Sequence, residues 1–402
     1  MRKAFFLTSG PPVPIVGARR IRDAQIISLL AKRMPVEVHC IARRTEMPSI
    51  QASAEKQFGS PVSVFCHPLD EPNILIRSLD LVRPHFAQGY SKSIESALLS
   101  RANPGDFVWL SRLRMAKYVA LARKLGCFSV LDEHQVESDL LFDNAFTRMR
   151  YWHQGLTAAQ CALYEKKLSY AADLVVTASP IDTARIRKLA PNTKVQVIPP
   201  AIDTQIYLPL RPDAGPHGNE LLDLSFIGDL DYQPNLHALE WIRDELIPRL
   251  EACRAKPKIR VHSQNREIEK IASTFPNFEF ITYTRTEELI EQLRPADVAI
   301  FPLRYGRGNR IHVLEAVGAG IPVVSTGRGV DGLAGLTPLD DICIAEAPDE
   351  FASLVLRAAQ DAEFRKNLIE CGLKTVQAKY DWLQTAPALD SLFSTLGVQF
   401  PD

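Results

Sequence analysis

"DVAIFPLRYGRGNRIHVLEAVGAGIPVVST", residues 297 to 326, decides how the chain is read. An apolar, strand-like run leads into a loop of arginine and glycine, then a stretch with helical spacing, then the β-branched run "IPVVST". Strand, loop, helix and strand in that order form one βα unit of a parallel sheet. The helical stretch carries one carboxylate, Glu315, between Val313, Leu314, Ala316 and Val317, which cover more than one face. Such a helix is largely buried, and an unpaired carboxylate in it is costly. Glu315 therefore needs a partner from the protein or from a ligand.

The same alternation extends in both directions. Upstream, "DLSFIGDL", "NLHALEWIRDELIPRLEAC", "KIRVHS", "REIEKIASTF", "FEFITY" and "EELIEQLRPA" continue a series that starts near residue 223. A separate series opens the chain with "KAFFLTS", "IRDAQIISLLAKR", "VEVHCIA", "FVWLSR", "YVALARKLG" and "FSVLDE". Two βα series predict two doubly wound α/β domains. Between them "VIPPAIDTQIYLPLRPDAGPHGNELLD", residues 197 to 223, is proline-rich with little helical periodicity, and reads as the interdomain connection. After residue 350 come only helical patterns, so the last helix must pack on an existing domain.

At 402 residues the chain is too long for one ordinary core, which agrees with two domains. Lys plus Arg and Asp plus Glu number 47 each, so no global charge points to nucleic acid, and any anion site must be local. Seven scattered cysteines, without a Cys-x-x-Cys pair or a His cluster, argue against a disulfide framework or structural zinc and fit a reducing cytosol. The opening "MRKAFFLTSGPPVP" has too short an apolar run for a signal peptide or a membrane span.

Ligands of open α/β sheets sit beyond the carboxyl ends of strands, where loops meet helices. Three stretches qualify. In "TSGPPVPIVGARRIR", residues 8 to 22, Gly17 allows close backbone approach, and Arg19, Arg20 and Arg22 crowd a helix start. Cations there oppose the helix dipole, so they indicate either an anionic ligand or a solvated basic end. "VLDEHQVES", residues 130 to 138, ends a strand with Asp132, Glu133, His134 and Glu137. Its His can bond a sugar hydroxyl or move a proton, while some of the acids can simply complement a helix N-terminus. In the opening stretch Asn309 can cap a helix starting at Arg310, and Arg304, Arg307 and Arg310 surround its free amides. That arrangement suits a diphosphate. Glu315 lies about 7 to 8 Å further along the axis, near the span from a diphosphate to a ribose. Two vicinal ribose hydroxyls are one partner for it, and an internal ion pair with an arginine is the other.

Taken together these residues resemble the family-4 glycosyltransferases of the GT-B fold. The likeness is carried by "RGNRIHVLEAVGAGIPVVST" with "GVDGL", by "FIGDLDYQPNLHALEWIRDELIPRL", and by "YEKKLSYAADLVVTASPIDTARI" followed by "VQVIPPAIDTQIYLP". The second of these is similar to a bacterial polysaccharide-associated branch. The resemblance implies two Rossmann-like domains facing across a cleft: an acceptor-side domain over 1–205, with a helix at about 380–402 packing back on it, and a donor domain over 206–379. It implies transfer of a sugar from a nucleotide-diphosphate sugar, with retention and without a metal or other cofactor. Acceptors would be a glycan, a lipid-linked molecule or a small molecule, and nucleic acid would not be a partner.

Carried onto this chain, Glu315 would hold the ribose. Arg307, Arg310 and the amides of Gly308 and Asn309 would hold the diphosphate, with Gly17, Gly228, His312, Val313 and Leu314 completing the donor site. His134, Arg307 and Arg310 would take the catalytic roles, and Asp132, Glu137 and Arg19 would face the acceptor. Three positions depart from the family pattern. Arg307 stands where many members have Glu, His312 where Lys is usual, and Asp229 and Asp231 where an Arg and a Lys are common. A cytoplasmic location follows, with Phe142, Phe146, Tyr151 and Trp152 forming either core, an acceptor wall or a patch facing the inner side of a membrane. A sugar epimerase or a non-catalytic nucleotide-sugar binder would keep the same donor domain.

Overall fold

A computed structural model of the chain describes residues 2–70, 90–147, 154–207, 221–264, 268–308 and 310–399. Seven parallel strands form a first sheet: β1 (Ala4–Thr8), β2 (Val36–Ile41), β3 (Val62–His67), β4 (Phe107–Ser111), β5 (Phe128–Glu133), β6 (Leu174–Thr177) and β7 (Val195–Val197), in the spatial order β3-β2-β1-β4-β5-β6-β7. Six more form a second: β8 (Leu221–Ile227), β9 (Lys256–Ser263), β10 (Phe278–Thr282), β11 (Val298–Phe301), β12 (Val323–Ser325) and β13 (Cys343–Ile344), ordered β10-β9-β8-β11-β12-β13. Both orders reverse direction once, between β1 and β4 and between β8 and β11. These switch points are where doubly wound sheets open a crevice. The fold is two Rossmann-like units, as expected.

Central strands such as "AFFLT" and "FVWLS" are buried along their whole length, because helices cover both faces. Four strands escape the periodicity reading. Two of them, β7 and β13, are edge strands of three and two residues, too short to show a period. Strands β3 and β6 are short, and β3 alternates buried and exposed positions as an edge strand does.

The final helix, Ala386–Thr395, packs into the first core, where Leu389, Leu392 and Phe393 join Phe6, Trp109 and Val130. Arg33 fixes it from outside through Asp390 at 2.8 Å. The chain thus crosses between the sheets twice, and the two crossings are tied together. The Ile202 amide donates to the Tyr380 carbonyl and the Trp382 amide to the Ile202 carbonyl, at 2.9 and 3.1 Å. Asp381 accepts from the Thr204 amide and hydroxyl at 3.2 and 2.5 Å. Residues 208–220 of the connection lie outside the described residues.

Candidate active site

A cavity of about 330 Å³ lies beyond the carboxyl ends of both sheets and takes its walls from both. On the first wall stand Gly17, Arg19 and Arg20 after β1, Arg112 after β4, and His134 and Gln135 after β5. The second wall has Asp229, Tyr232 and Asn235 after β8, Gln264 after β9, Tyr283 after β10, and Arg307, Arg310 and His312 after β11. Each residue follows the end of a strand on its own wall, so the sheet topology alone brings these scattered segments together.

The walls touch at two glycines. Gly17 has φ 77°, and a Cβ there would lie 2.4 Å from the Gln264 side chain. Gly308 has φ 105°, and a Cβ would meet the Gln135 side chain at 2.7 Å. A side chain at either position would be strained and would push the walls apart. Gly228 does a related job within the second wall, where the Asn235 amide passes over it to donate to the Asp229 carbonyl at 2.7 Å.

The first wall rests on a buried polar network. Asp23 accepts from Ser111 Oγ at 2.6 Å, Thr8 Oγ1 at 2.9 Å and Arg19 Nη1 at 3.2 Å. Burial outweighs these partners and raises its proton affinity. His134 Nε2 sits 3.4 Å from Ser111 Oγ and 3.6 Å from Asp23 Oδ1. Burial, with Arg112, Arg22 and Arg19 nearby, holds the imidazole well below its usual pKa, so it faces the cavity neutral at physiological pH. A neutral imidazole can donate or accept a hydrogen bond but is a poor proton donor.

Several sequence-stretch residues lie behind this wall rather than on it. Arg22, one of three arginines read as a basic cluster, is fully buried and pairs with Asp132 at 3.2 Å. Asp132 also accepts from Trp109 Nε1 at 3.3 Å, so its carboxylate supports the wall and does not line it. Glu137 is turned from the main cavity and accepts from Gln135 Nε2 at 2.9 Å. Arg19 reaches the cavity, but Asp23, Thr8 and the Gly10 and Pro11 carbonyls occupy its guanidinium.

On the second wall the helix runs from Ile311 to Gly318. Arg310 itself is the N-cap residue and no side chain caps the end; Asn309 lies outside the described residues. The Val313 and Leu314 amides donate to the Arg310 carbonyl at 3.1 and 3.4 Å, so among the described residues it is the Ile311 and His312 amides that remain open to a ligand. Arg310 is 6% exposed, and its Nη2 donates to the Gly306 carbonyl at 3.0 Å while its Nε has no partner. Arg307 is held by the Tyr232 hydroxyl, which donates to its carbonyl at 2.7 Å and accepts from its amide at 2.8 Å. Its guanidinium makes long ion pairs of 3.5 Å to Asp331 and 3.6 Å to Asp143 of the first domain, and its Nε also lacks a hydrogen-bond partner. Arg304 points away to Glu346.

Glu315 finds its partners within the protein. The Tyr207 hydroxyl donates to one carboxylate oxygen at 3.2 Å, and His312 Nδ1 lies 2.7 Å from the other. Neither is an arginine, so the ion-pair alternative is corrected to a tyrosine and a histidine. Glu315 is 1% exposed and lies beneath His312, which is the residue that reaches the cavity. Val313 lines the cavity too, whereas Leu314 is fully buried in the core on the other side of the helix.

Periodicity did not single out Arg112, Gln135, Tyr232, Gln264 or Tyr283. Their signal was positional: each lies within a few residues of a strand's carboxyl end. Among the described residues no group of three His, Cys, Asp or Glu is placed to hold a metal ion.

Residues 222–361 match the family model described as Glycosyl transferases group 1. No curated protein matches the chain by sequence. Solved structures match along its whole length. A sucrose-phosphate synthase from Thermosynechococcus elongatus is 14% identical with a TM-score of 0.70, covering 99% of each chain. The HepE protein of Anabaena, solved with UDP and glucose, is 13% identical with a TM-score of 0.66, over 98% of this chain and 100% of that one. An E. coli structure described as trehalose-6-phosphate bound with UDP-2-fluoro glucose is 12% identical with a TM-score of 0.66, over 99% and 100%. At such identities the likeness establishes the fold, and the group 1 match supplies the activity. The chain is a glycosyltransferase of GT-B fold, and its residues 222–361 match the group 1 glycosyl transferase model.

Proposed function

We propose that the cavity binds a nucleotide-diphosphate sugar against the second wall and transfers the sugar, with retention and without a metal, to an acceptor on the first. The observation that carries this reading is the uncapped start of the Ile311–Gly318 helix flanked by Arg307 and Arg310, two nearly buried guanidinium groups whose Nε atoms have no hydrogen-bond partner. A helix N-terminus with two forked cations suits a diphosphate. That neighbours of this fold were solved with UDP, UDP-glucose or UDP-2-fluoro glucose supports a uridine donor as the first to test. His312 with Glu315 beneath it then meets the ribose.

In this reading the leaving diphosphate needs stabilisation more than the acceptor needs a strong base. Arg307 and Arg310 gather the charge that develops on the leaving oxygen, and that oxygen takes the acceptor's proton on the same face of the sugar. His134 stays neutral and orients the transferred sugar or the acceptor hydroxyl. Family-4 type chemistry in bacterial polysaccharide synthesis, in the cytoplasm, is the setting we propose.

Contact with a membrane surface has its own support. No helix among the described residues is long and apolar enough to cross a membrane. The first domain nevertheless exposes Phe146, Leu156, Leu163 and Tyr170, the last three at seven-residue intervals along the Gln154–Ala171 helix beside exposed Lys166 and Lys167. An apolar stripe edged by lysine fits a lipid surface. Tyr151 and Trp152 of the same region lie outside the described residues.

Release of nucleoside diphosphate from a panel of UDP-, GDP-, ADP- and dTDP-sugars tests the reading. One donor should be consumed far above background with EDTA present. Isomerised sugar without transfer, or binding without turnover, would contradict it.

A further inference from the structure

Arg112 is a cation of the first wall that no carboxylate ion-pairs with among the described residues. Arg112 follows β4 with φ 69° and ψ 161°, backbone open to glycine and strained for any other residue. Its amide donates to the Asp132 carbonyl at 2.9 Å and its carbonyl accepts from the Met115 amide at 3.0 Å, so the turn is held while the side chain lines the cavity. Among the described residues nothing hydrogen-bonds or ion-pairs with its guanidinium. Arg114, two residues on and exposed, is likewise without such a partner.

The two arginines share a small side recess with Glu133, His134, Gln135 and Glu137. Neither of its acids ion-pairs with Arg112: burial beside Glu165 and Glu137 raises the proton affinity of the Glu133 carboxyl, and Glu137 accepts from Gln135. The groups whose titration feels Arg112, namely Arg19, Arg114, Glu133 and His134, all belong to the first domain. The second wall has its own cations in Arg307 and Arg310 for a donor diphosphate.

A strained residue kept where glycine would fit without strain, carrying an unmatched fork into the acceptor side of a cleft, points to a second anion. We infer that Arg112, with Arg114 at the mouth, binds a phosphate group carried by the acceptor, which makes the acceptor a phosphorylated molecule. A guanidinium fork matches phosphate oxygens in pairs. The inference rests on the proposed donor site, and its test separates the two.

Calorimetry is run on the full chain saturated with whichever nucleoside diphosphate binds, titrating inorganic phosphate, a hexose 6-phosphate and the neutral hexose. Both phosphates should bind the loaded protein and the neutral hexose should bind at least tenfold more weakly. Arg112→Gly should lose phosphate affinity at least tenfold while its melting temperature holds or rises, since glycine relieves the backbone. Arg112→Lys should retain part of the affinity, and Arg114→Ala should weaken it severalfold. Nucleoside diphosphate affinity should move less than twofold in all three. Vesicles containing phosphatidic acid form a separate arm: Arg112-dependent vesicle binding places the phosphate on a lipid, and its absence places it on a soluble acceptor.

Three results overturn the inference: phosphate that fails to bind the loaded protein, phosphate affinity unchanged in Arg112→Gly, or nucleoside diphosphate affinity falling in step with it. The last would assign Arg112 to the donor. A wild type that binds no nucleoside diphosphate refutes the donor site instead, and the phosphate titrations are then read on the free protein.

Discussion

The two walls of the cleft are built on opposite plans. The second wall, though it draws on four strand ends, gathers its cations in one continuous motif, a loop and a helix start with guanidinium Nε atoms that lack hydrogen-bond partners. The first is assembled from three segments spread between residues 16 and 135, and its polar groups are largely satisfied before any ligand arrives: Asp23 by Thr8, Ser111 and Arg19, and Asp132 by Arg22 and Trp109. An open wall gains its interactions on binding, so it should govern affinity. A presatisfied wall holds a few groups such as His134 in fixed orientation, so it should govern turnover.

That contrast can be broken most sharply at His134. Replacement by Ala should lower turnover about a hundredfold, the lower end for loss of a positioned catalytic group, with nucleoside diphosphate affinity within about twofold. Equal losses in both would return His134 to a structural role. Next in size is Glu315→Gln on the other wall, which loosens the His312 ring that meets the ribose and should cost about 1.5 to 3 kcal/mol of nucleotide binding. A 2′,3′-dideoxy nucleotide should bind wild type and variant alike. A gap that persists with this analogue would mean that Glu315 serves only Tyr207 and His312.

A third prediction concerns the support of the first wall. Glu165 accepts from the Glu137 and Ser138 amides and the Ser138 hydroxyl, and burial pushes its carboxyl up to about 7. Its folded pKa lies above the unfolded value, so the folded state binds more protons between about pH 4.5 and 7 and loses stability as pH rises through that window. Relative to wild type, Glu165→Gln should gain about 1 to 2 kcal/mol between pH 5 and pH 8, measured by urea unfolding. A constant difference across that range would remove the titrating acid from the account. The smallest effect is expected for Tyr207→Phe, which deletes one donor to Glu315 and should cost about 1 kcal/mol of stability with little change in turnover.

The same contrast explains what could be read before the structure. The fold was legible because alternating strand and helix periods survive in every central element, and the arginine-bearing part of the second wall was legible because its loop, helix and strand are contiguous between 297 and 326. The first wall was legible only in part. Nothing local distinguishes Arg22, which turns inward to Asp132, from Arg20, which faces the cavity. Arg112 looks like an ordinary strand-end residue until its backbone is seen. The partner of Glu315 was equally hidden, since Tyr207 lies in the connection, 108 residues away.

Calorimetric titration of the nucleoside diphosphate and of the matching uncharged nucleoside, into wild type, Arg310→Ala, Arg307→Ala and their double variant, tests the central claim most directly. Each single variant should weaken the diphosphate at least tenfold and the nucleoside less than twofold, with a flatter salt dependence. The double variant should lose less than the product of the two, because both guanidinium groups share one anion. Diphosphate affinity untouched by either change, but abolished in Arg19→Ala or Arg20→Ala, would place the phosphates on the first wall and contradict the division of labour between the two.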